Sequence, residues 1–81
     1  NVIARNYLAN DLMQLKRYAE AREVLEELAR VGSARAADYN NLGACCEATG
    51  DFAAAKAAYR TALDMDPNEQ RARAGLDRLG N

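Results

Sequence analysis

Few side chains in this sequence are of the kinds that do covalent or metal chemistry. Histidine is absent, and the only thiols belong to the neighbours Cys45 and Cys46. Adjacent cysteines cannot adopt relaxed disulfide geometry, and two thiolates without histidine do not complete a tetrahedral zinc site. Ser33 is the only serine and stands at a predicted helix boundary, so no nucleophile–base pair can be assembled. We therefore expect no enzyme, no cofactor and no metal site.

Two interpretations of the cysteine pair are open, a redox or metal role and simple packing. Cys46 falls on the apolar side of a predicted helix, where a buried thiol behaves as a small apolar group, and this favours packing. Free thiols also favour a reducing, cytoplasmic compartment. The tyrosines recur at the spacing of helix–helix contacts, which favours core positions over ligand stacking. They are Tyr7, Tyr18, Tyr39 and Tyr59.

The charges exclude other classes of partner. The 81 residues include 11 basic and 12 acidic side chains, spread along the chain, with a net charge of -1. A nucleic-acid site needs a concentrated basic face, so we expect no nucleic-acid partner. No apolar run reaches membrane-spanning length and no signal-peptide pattern opens the chain, so we expect no membrane insertion. The first residue is not methionine, and we expect an excerpt of a longer chain.

Apolar residues recur every three to four positions in five stretches, which predicts an all-α fold of five helices. The predicted inward side chains of the first helix are Ile3, Ala4, Leu8, Leu12 and Leu15, and Phe52 is predicted to point inward at the start of the fourth. The predicted helices cover residues 1–15, 18–30, 34–49, 52–65 and 68–79.

Turn residues define the predicted helix ends. Gly32, Gly50 and Gly80 are expected to end helices, because glycine takes the left-handed conformation without steric cost. Ser33 and Asp51 are expected to cap the helices that follow. A capping box with Asp66 as the cap, Pro67 at the first helical position and Glu69 at the third is expected to start the last helix.

The sequence contains an internal repeat: it aligns with itself when it is shifted by 34 residues. Leu8 then falls on Leu42, a large apolar residue that packs across a helical hairpin. Ala9 falls on Gly43, and such a small residue lets the partner helix come close. Neither hairpin buries its outer face alone, so the pattern predicts stacked repeats.

These positions resemble the tetratricopeptide repeat family. The second repeat, 36–69, matches the family pattern at Tyr39, Leu42, Gly43, Ala55, Tyr59, Ala62 and Pro67, while Cys46 replaces the usual tyrosine. The first repeat, 2–35, keeps Leu8, Ala9, Ala21 and Leu25, and departs from the pattern at Arg5, Leu12, Leu28 and Ser33. The resemblance implies one domain over 1–81, with antiparallel hairpins stacked as a right-handed superhelix and a capping helix at 68–79.

The resemblance also implies a function, which is protein–protein interaction. Members hold an extended peptide or a partner helix in a concave groove lined by the first helix of each hairpin. Asparagine amides there can donate to and accept from a peptide backbone, and arginines can grip a carboxylate, although the same residues also suit a plain solvated surface. The groove positions in the predicted binding site are Asn6, Asn10, Met13, Asn40, Asn41, Ala44, Glu47, Arg71 and Arg78, and the flanking ones are Ile3, Gln14, Ala37 and Ala74.

Two narrower alternatives remain open. Some family members clamp the two carboxylates of an acidic C-terminus; Asn10, Asn41 and Arg71 fit that pattern, but Asn6 and Gly75 stand where it needs cations. The other alternative is a structural array that associates with itself. It arises because Val2, Ile3 and Leu12 are expected to need cover from preceding repeats or from another copy.

Overall fold

The computed structural model describes residues 2–80, and these form five α-helices with no strand among them. The all-α prediction is confirmed. The predicted helix start at Asn1 and the predicted cover of the Val2 side chain lie outside what the structure describes. The helices are α1 (Val2–Gln14), α2 (Tyr18–Arg30), α3 (Ala36–Ala48), α4 (Phe52–Met65) and α5 (Gln70–Leu79).

Helix α3 is the centre of the packing. Helices α1 and α2 form one hairpin, α3 and α4 form the next, and α3 also contacts α2 and α5. One core cluster lies between the hairpins and contains Leu25, Leu28 and Cys45. A second cluster joins α3, α4 and α5 and contains Cys46, Tyr59 and Leu76. The neighbouring cysteines therefore point into different cores.

The glycine predictions and one of the cap predictions are confirmed. Gly32, Gly50 and Gly80 have φ angles of 75°, 83° and 80°, in the left-handed region that side chains with a β-carbon rarely adopt. Asp51 caps α4, because its Oδ1 accepts a 3.2 Å hydrogen bond from the backbone N–H of Ala54. The turn between α3 and α4 is therefore defined by two adjacent residues, Gly50 at the end of α3 and Asp51 at the start of α4.

Two predicted helix starts are wrong. Ser33 does not cap α3, which begins at Ala36 after Arg35; the Asp38 carboxylate accepts from the Arg35 backbone N–H at 2.8 Å instead. Helix α5 begins at Gln70, not at 68. The Asp66 carboxylate accepts from the backbone N–H of Asn68 at 3.0 Å, which closes a separate turn before the helix begins.

Several predicted core residues are exposed. Ile3 is 64% exposed, Tyr7 66%, Leu8 47%, Leu15 66% and Phe52 54%. On α1 the inward places are taken by Ala9 and Leu12, and no described helix covers the opposite side. Leu12 is only 8% exposed, so the expectation that it needs cover from another repeat is wrong.

Candidate functional site

The predicted groove residues come from α1, α3 and α5, and one direct contact joins the first two helices. Asn41 Nδ2 donates to Asn10 Oδ1 at 3.3 Å. Asn10 is exposed and Asn41 is half-buried. An asparagine amide has two donors and an acceptor oxygen, so this contact leaves hydrogen-bonding capacity on both side chains. Amides from successive hairpins thus lie side by side at the surface.

Asn6 lies one turn earlier on α1 and is half-buried. With its amide oriented to satisfy both ends, it donates to Asp38 Oδ1 and accepts from Arg35 Nη2, each at 3.2 Å. Asp38 is only 3% exposed and also accepts from the Arg35 side chain at 3.2 Å. Sequence reasoning missed both partners. The available signal was an aspartate three residues after Arg35, the spacing at which an acidic side chain accepts from the residue that begins a helix.

Glu47 connects three helices. Its Oε1 accepts a 2.8 Å hydrogen bond from the Tyr59 hydroxyl of α4. Its two oxygens also accept from Arg78 of α5, from Nε at 2.9 Å and from Nη2 at 2.6 Å. The Arg78 guanidinium holds the pKa of Glu47 below its usual range, while burial, together with Glu47, raises the pKa of Tyr59. The Glu47 carboxylate is therefore already bound by two side chains of the same chain, although it remains partly exposed.

Arg71 is exposed and stands close to the start of α5. Its Nε donates to Glu69 Oε1 at 3.1 Å and its Nη2 to Glu69 Oε2 at 3.3 Å. This pairing lowers the pKa of Glu69. Both arginines of the predicted groove therefore already hold a carboxylate of the same chain.

Three predicted groove positions offer less surface than expected. Asn40 is only 6% exposed, which contradicts its prediction as an open ligand contact. Met13 packs against the first core cluster, and Ala44 is half-buried. For Asn40 and Ala44 the physical reason is that α3 contacts α2, α4 and α5 at once, so only part of its circumference stays open.

A depression of about 290 Å³ lies at the α1 end of this surface. Ile3, Asn6 and Asn10 line it together with Tyr7 and Arg35, which were not predicted as site residues. Tyr7 and Ile3 supply exposed apolar area, and the amides supply hydrogen-bonding groups. The depression can therefore receive a side chain with an apolar body.

Gly75 has no room for the cation that a two-carboxylate clamp would place there. A β-carbon on Gly75 would lie 2.5 Å from ring atoms of Tyr59, and one on Gly43 would lie 2.6 Å from the opposite edge of that ring. The Tyr59 ring thus fills the space between α3 and α5. Any side chain at position 75 requires this ring to move.

Both cysteines are free and buried, with Cys45 0% and Cys46 2% exposed. Burial raises the pKa of Cys45 to about 11, and it raises the pKa of Cys46 as well. Neither thiol has the depressed pKa and accessibility of a reactive cysteine. Their surroundings favour packing.

The sequence profile of the tetratricopeptide repeat matches residues 2–68, which span both hairpins. The chain belongs to the tetratricopeptide repeat family. Tetratricopeptide repeats are generally non-catalytic and generally mediate protein–protein interaction. No match was found among curated proteins. Within residues 2–80 of this tetratricopeptide repeat protein, no helix is long and apolar enough to cross a membrane.

Proposed function

We propose that this chain is a non-catalytic interaction module that holds a peptide or a partner helix on the surface formed by α1, α3 and α5. The observation that supports this most directly is the Asn10–Asn41 hydrogen bond, which brings the exposed Asn10 amide and the half-buried Asn41 amide of the next hairpin within 3.3 Å. Such a pair of amides suits an extended peptide, because a peptide backbone offers donors and acceptors in alternation. The two free thiols favour a cytoplasmic setting.

The rigidity of the surface supports binding with little ordering cost. Asn10 and Asn41 stand on helices that are packed against the cores, so their backbone is already ordered before a ligand arrives. Binding energy is then not spent on ordering the protein side of the interface. The depression beside Tyr7 adds a place for an apolar anchor of the ligand.

The charges favour amide-based recognition over capture of an acidic tail. Arg35, Arg71 and Arg78 are held by Asp38, Glu69 and Glu47, respectively. A carboxylate ligand would have to compete with these internal partners. Asn6 and Gly75 also stand where a two-carboxylate clamp needs cationic side chains, which argues against an acidic tail. We therefore favour a peptide bound mainly through its backbone and one apolar side chain.

The test compares capture of partners from an extract of the source cell by four forms of the chain. The groove variant carries Asn10→Ala, Asn41→Ala and Arg71→Glu, and it leaves the buried Asn40 unchanged. Asp64→Ala, an exposed change on α4, is the matched control. Tyr7→Ala probes the depression separately.

We expect a partner that binds the parent and the Asp64→Ala variant, and whose affinity falls at least about tenfold in the groove variant, as for loss of interface contacts. Titration of the purified partner measures its dissociation constant for each form, and circular dichroism checks that each form is folded. Equal binding to all four forms would move the site to the other faces of the chain.

A further inference from the structure

One polar side chain of α3 is recessed between α3 and α5 rather than open on the surface. Asn40 is only 6% exposed. Its amide forms no hydrogen bond with any residue of 2–80, yet neither amide atom is entirely closed off from solvent. Burial of a polar group without a partner is costly, and such a group in a folded protein needs an explanation. A ligand that reaches this amide would supply the missing hydrogen bonds.

The Asn40 side chain faces α5. Glu47 lies seven residues after Asn40, almost two full helical turns, so both side chains stand on the same face of α3. Glu47 binds Arg78 of α5, which identifies that face as the one turned toward α5. The same 31-residue offset that joins Glu47 to Arg78 puts Arg71 of α5 opposite Asn40.

The internal repeat explains why this amide has no partner in the protein. Helices α1, α3 and α5 begin 34 residues apart, so the shift compares side chains at the same place on each helix. Asn40 corresponds to Asn6, whose amide bonds Asp38 and Arg35 at the start of α3. The residue on α5 that corresponds to Asp38 is Ala72, which is buried and has no side-chain acceptor. The asparagine is repeated and its acceptor is not.

The charged side chains beside this crevice are already paired. Arg71, opposite Asn40, is held by Glu69. Two turns further along, Arg78 is held by Glu47. A group that enters the crevice therefore meets one free amide between two ion pairs that carry no net charge. An amide offers both a donor and an acceptor, so its natural partner is an uncharged group that offers the same.

We propose that Asn40 is the specificity-determining residue of the peptide site and binds an uncharged amide of the ligand. The ligand N–H donates to Asn40 Oδ1, and the ligand C=O accepts from Asn40 Nδ2. This inference rests on the function proposed above. Ala37 and Ala44 stand one turn before and after Asn40 on α3, and their methyl groups leave room for a ligand to approach. The amide comes either from the ligand main chain beside a small residue or from an asparagine or glutamine side chain.

The probe is a displayed library of random peptides, selected on the parent chain. Dissociation constants of the selected peptides are measured for the parent, Asn40→Leu, Asn40→Ala and the control Asp64→Ala. Leucine branches as asparagine does but has no polar atoms, whereas alanine removes the amide and leaves a cavity. Urea unfolding measures the stability of each form. The groove variant at Asn10, Asn41 and Arg71 is measured in parallel.

We expect both Asn40 variants to bind the selected peptides about five- to tenfold more weakly, as for loss of hydrogen bonds to one amide. Their stabilities should move apart. Asn40→Leu should be at least as stable as the parent, because apolar atoms replace a buried amide without a partner, and Asn40→Ala should be less stable. A purely structural role would instead make binding follow stability.

The selected peptides identify the source of the amide. A shared glycine or alanine indicates the main chain, and a shared asparagine or glutamine indicates the side chain. Peptide binding that Asn40→Leu leaves unchanged overturns the proposal, and so does an Asn40→Leu variant that is less stable than the parent. If the groove variant alone loses binding, the proposed function stands without Asn40. Binding that neither variant weakens, or a library that yields no peptide, overturns both. If Asn40→Leu does not fold, the binding of Asn40→Ala decides.

Discussion

A β-carbon on Gly75 would lie 2.5 Å from the ring of Tyr59, closer than any relaxed contact allows. A β-carbon on Gly43 would lie 2.6 Å from the opposite edge of the same ring. The ring therefore occupies the space that a side chain at either position would need, and the close packing of α3, α4 and α5 depends on glycine at both. The Tyr59 hydroxyl is fixed as well, because it donates to Glu47.

Replacement of Gly75 by alanine is expected to destabilise the fold. Overpacking of a filled core costs about 1–3 kcal/mol, and this should exceed the gain of about 1 kcal/mol from the higher helix propensity of alanine. Urea unfolding measures the difference. The cost should largely disappear when Tyr59→Ala is already present, since the clashing ring is then gone. A Gly75→Ala variant as stable as the parent would show that the ring is free to move.

Glu47→Gln is expected to lower stability by about 1 kcal/mol at neutral pH, because the charge-assisted hydrogen bonds from Arg78 weaken while the surface position limits their value. The pKa of Glu47 is lowered in the folded state, so its contribution is fully present above about pH 5 and is lost as the pH falls through the folded value. The unfolding free energies of parent and variant should therefore converge in acid. A difference independent of pH would contradict this account.

Asn40 and Asn41 should respond differently to alanine. Asn40 is 6% exposed, so its replacement by alanine leaves a cavity where α3 is surrounded by other helices, and this should cost about 1–3 kcal/mol. Asn41 is half-buried and its side chain donates to Asn10 at the surface, so its loss should cost below about 0.5 kcal/mol. Thermal unfolding of the two single variants decides the point. Equal costs would mean that burial does not separate their roles.

The thiols should be inert in the folded chain. With the pKa of Cys45 raised to about 11, its thiolate fraction at pH 8 is on the order of a hundredfold below that of an ordinary cysteine, and burial slows the reagent further. A thiol-reactive dye should label the native chain slowly and the urea-unfolded chain at once. The raised pKa also means that the stabilisation from the neutral thiol is complete below about pH 8.5 and is lost as the pH rises toward 11. Rapid labelling of native protein would reopen a redox role.

Local signals in the sequence were sufficient for the helices but not for every surface. The apolar rhythm and Gly32 and Gly50 predicted the helices and two of their ends, since both effects act over a few residues. Leu8 and Leu42 occupy the same repeat position, yet Leu8 is 47% exposed and Leu42 packs against both cores. Residue type cannot distinguish them, because the difference arises from which helix lies opposite.

The candidate site shows the same limit. The family resemblance placed Asn10, Asn40 and Asn41 in one predicted groove. The hydrogen bond between Asn10 and Asn41, and the burial of Asn40, depend instead on how the neighbouring helices surround α3. The contacts of Glu47 with Arg78 and Tyr59 join residues from α3, α5 and α4. No sequence pattern over a few residues predicts a contact among three helices, so this contact is seen only in the folded structure.

The division of Cys45 and Cys46 between two cores has a consequence for cooperativity. Helix α3 contributes side chains to both core clusters, Cys45 to the first and Cys46 to the second. A movement of α3 away from one cluster therefore also disturbs the other. In stacked repeats, stability is approximately a sum of terms within each repeat and terms between neighbours. Here α3 makes both the contacts within its own hairpin, with α4, and the contacts with the neighbouring hairpin, with α2. A disturbance at one end of the array is therefore transmitted to the other through α3, and the two hairpins lose their independence in unfolding.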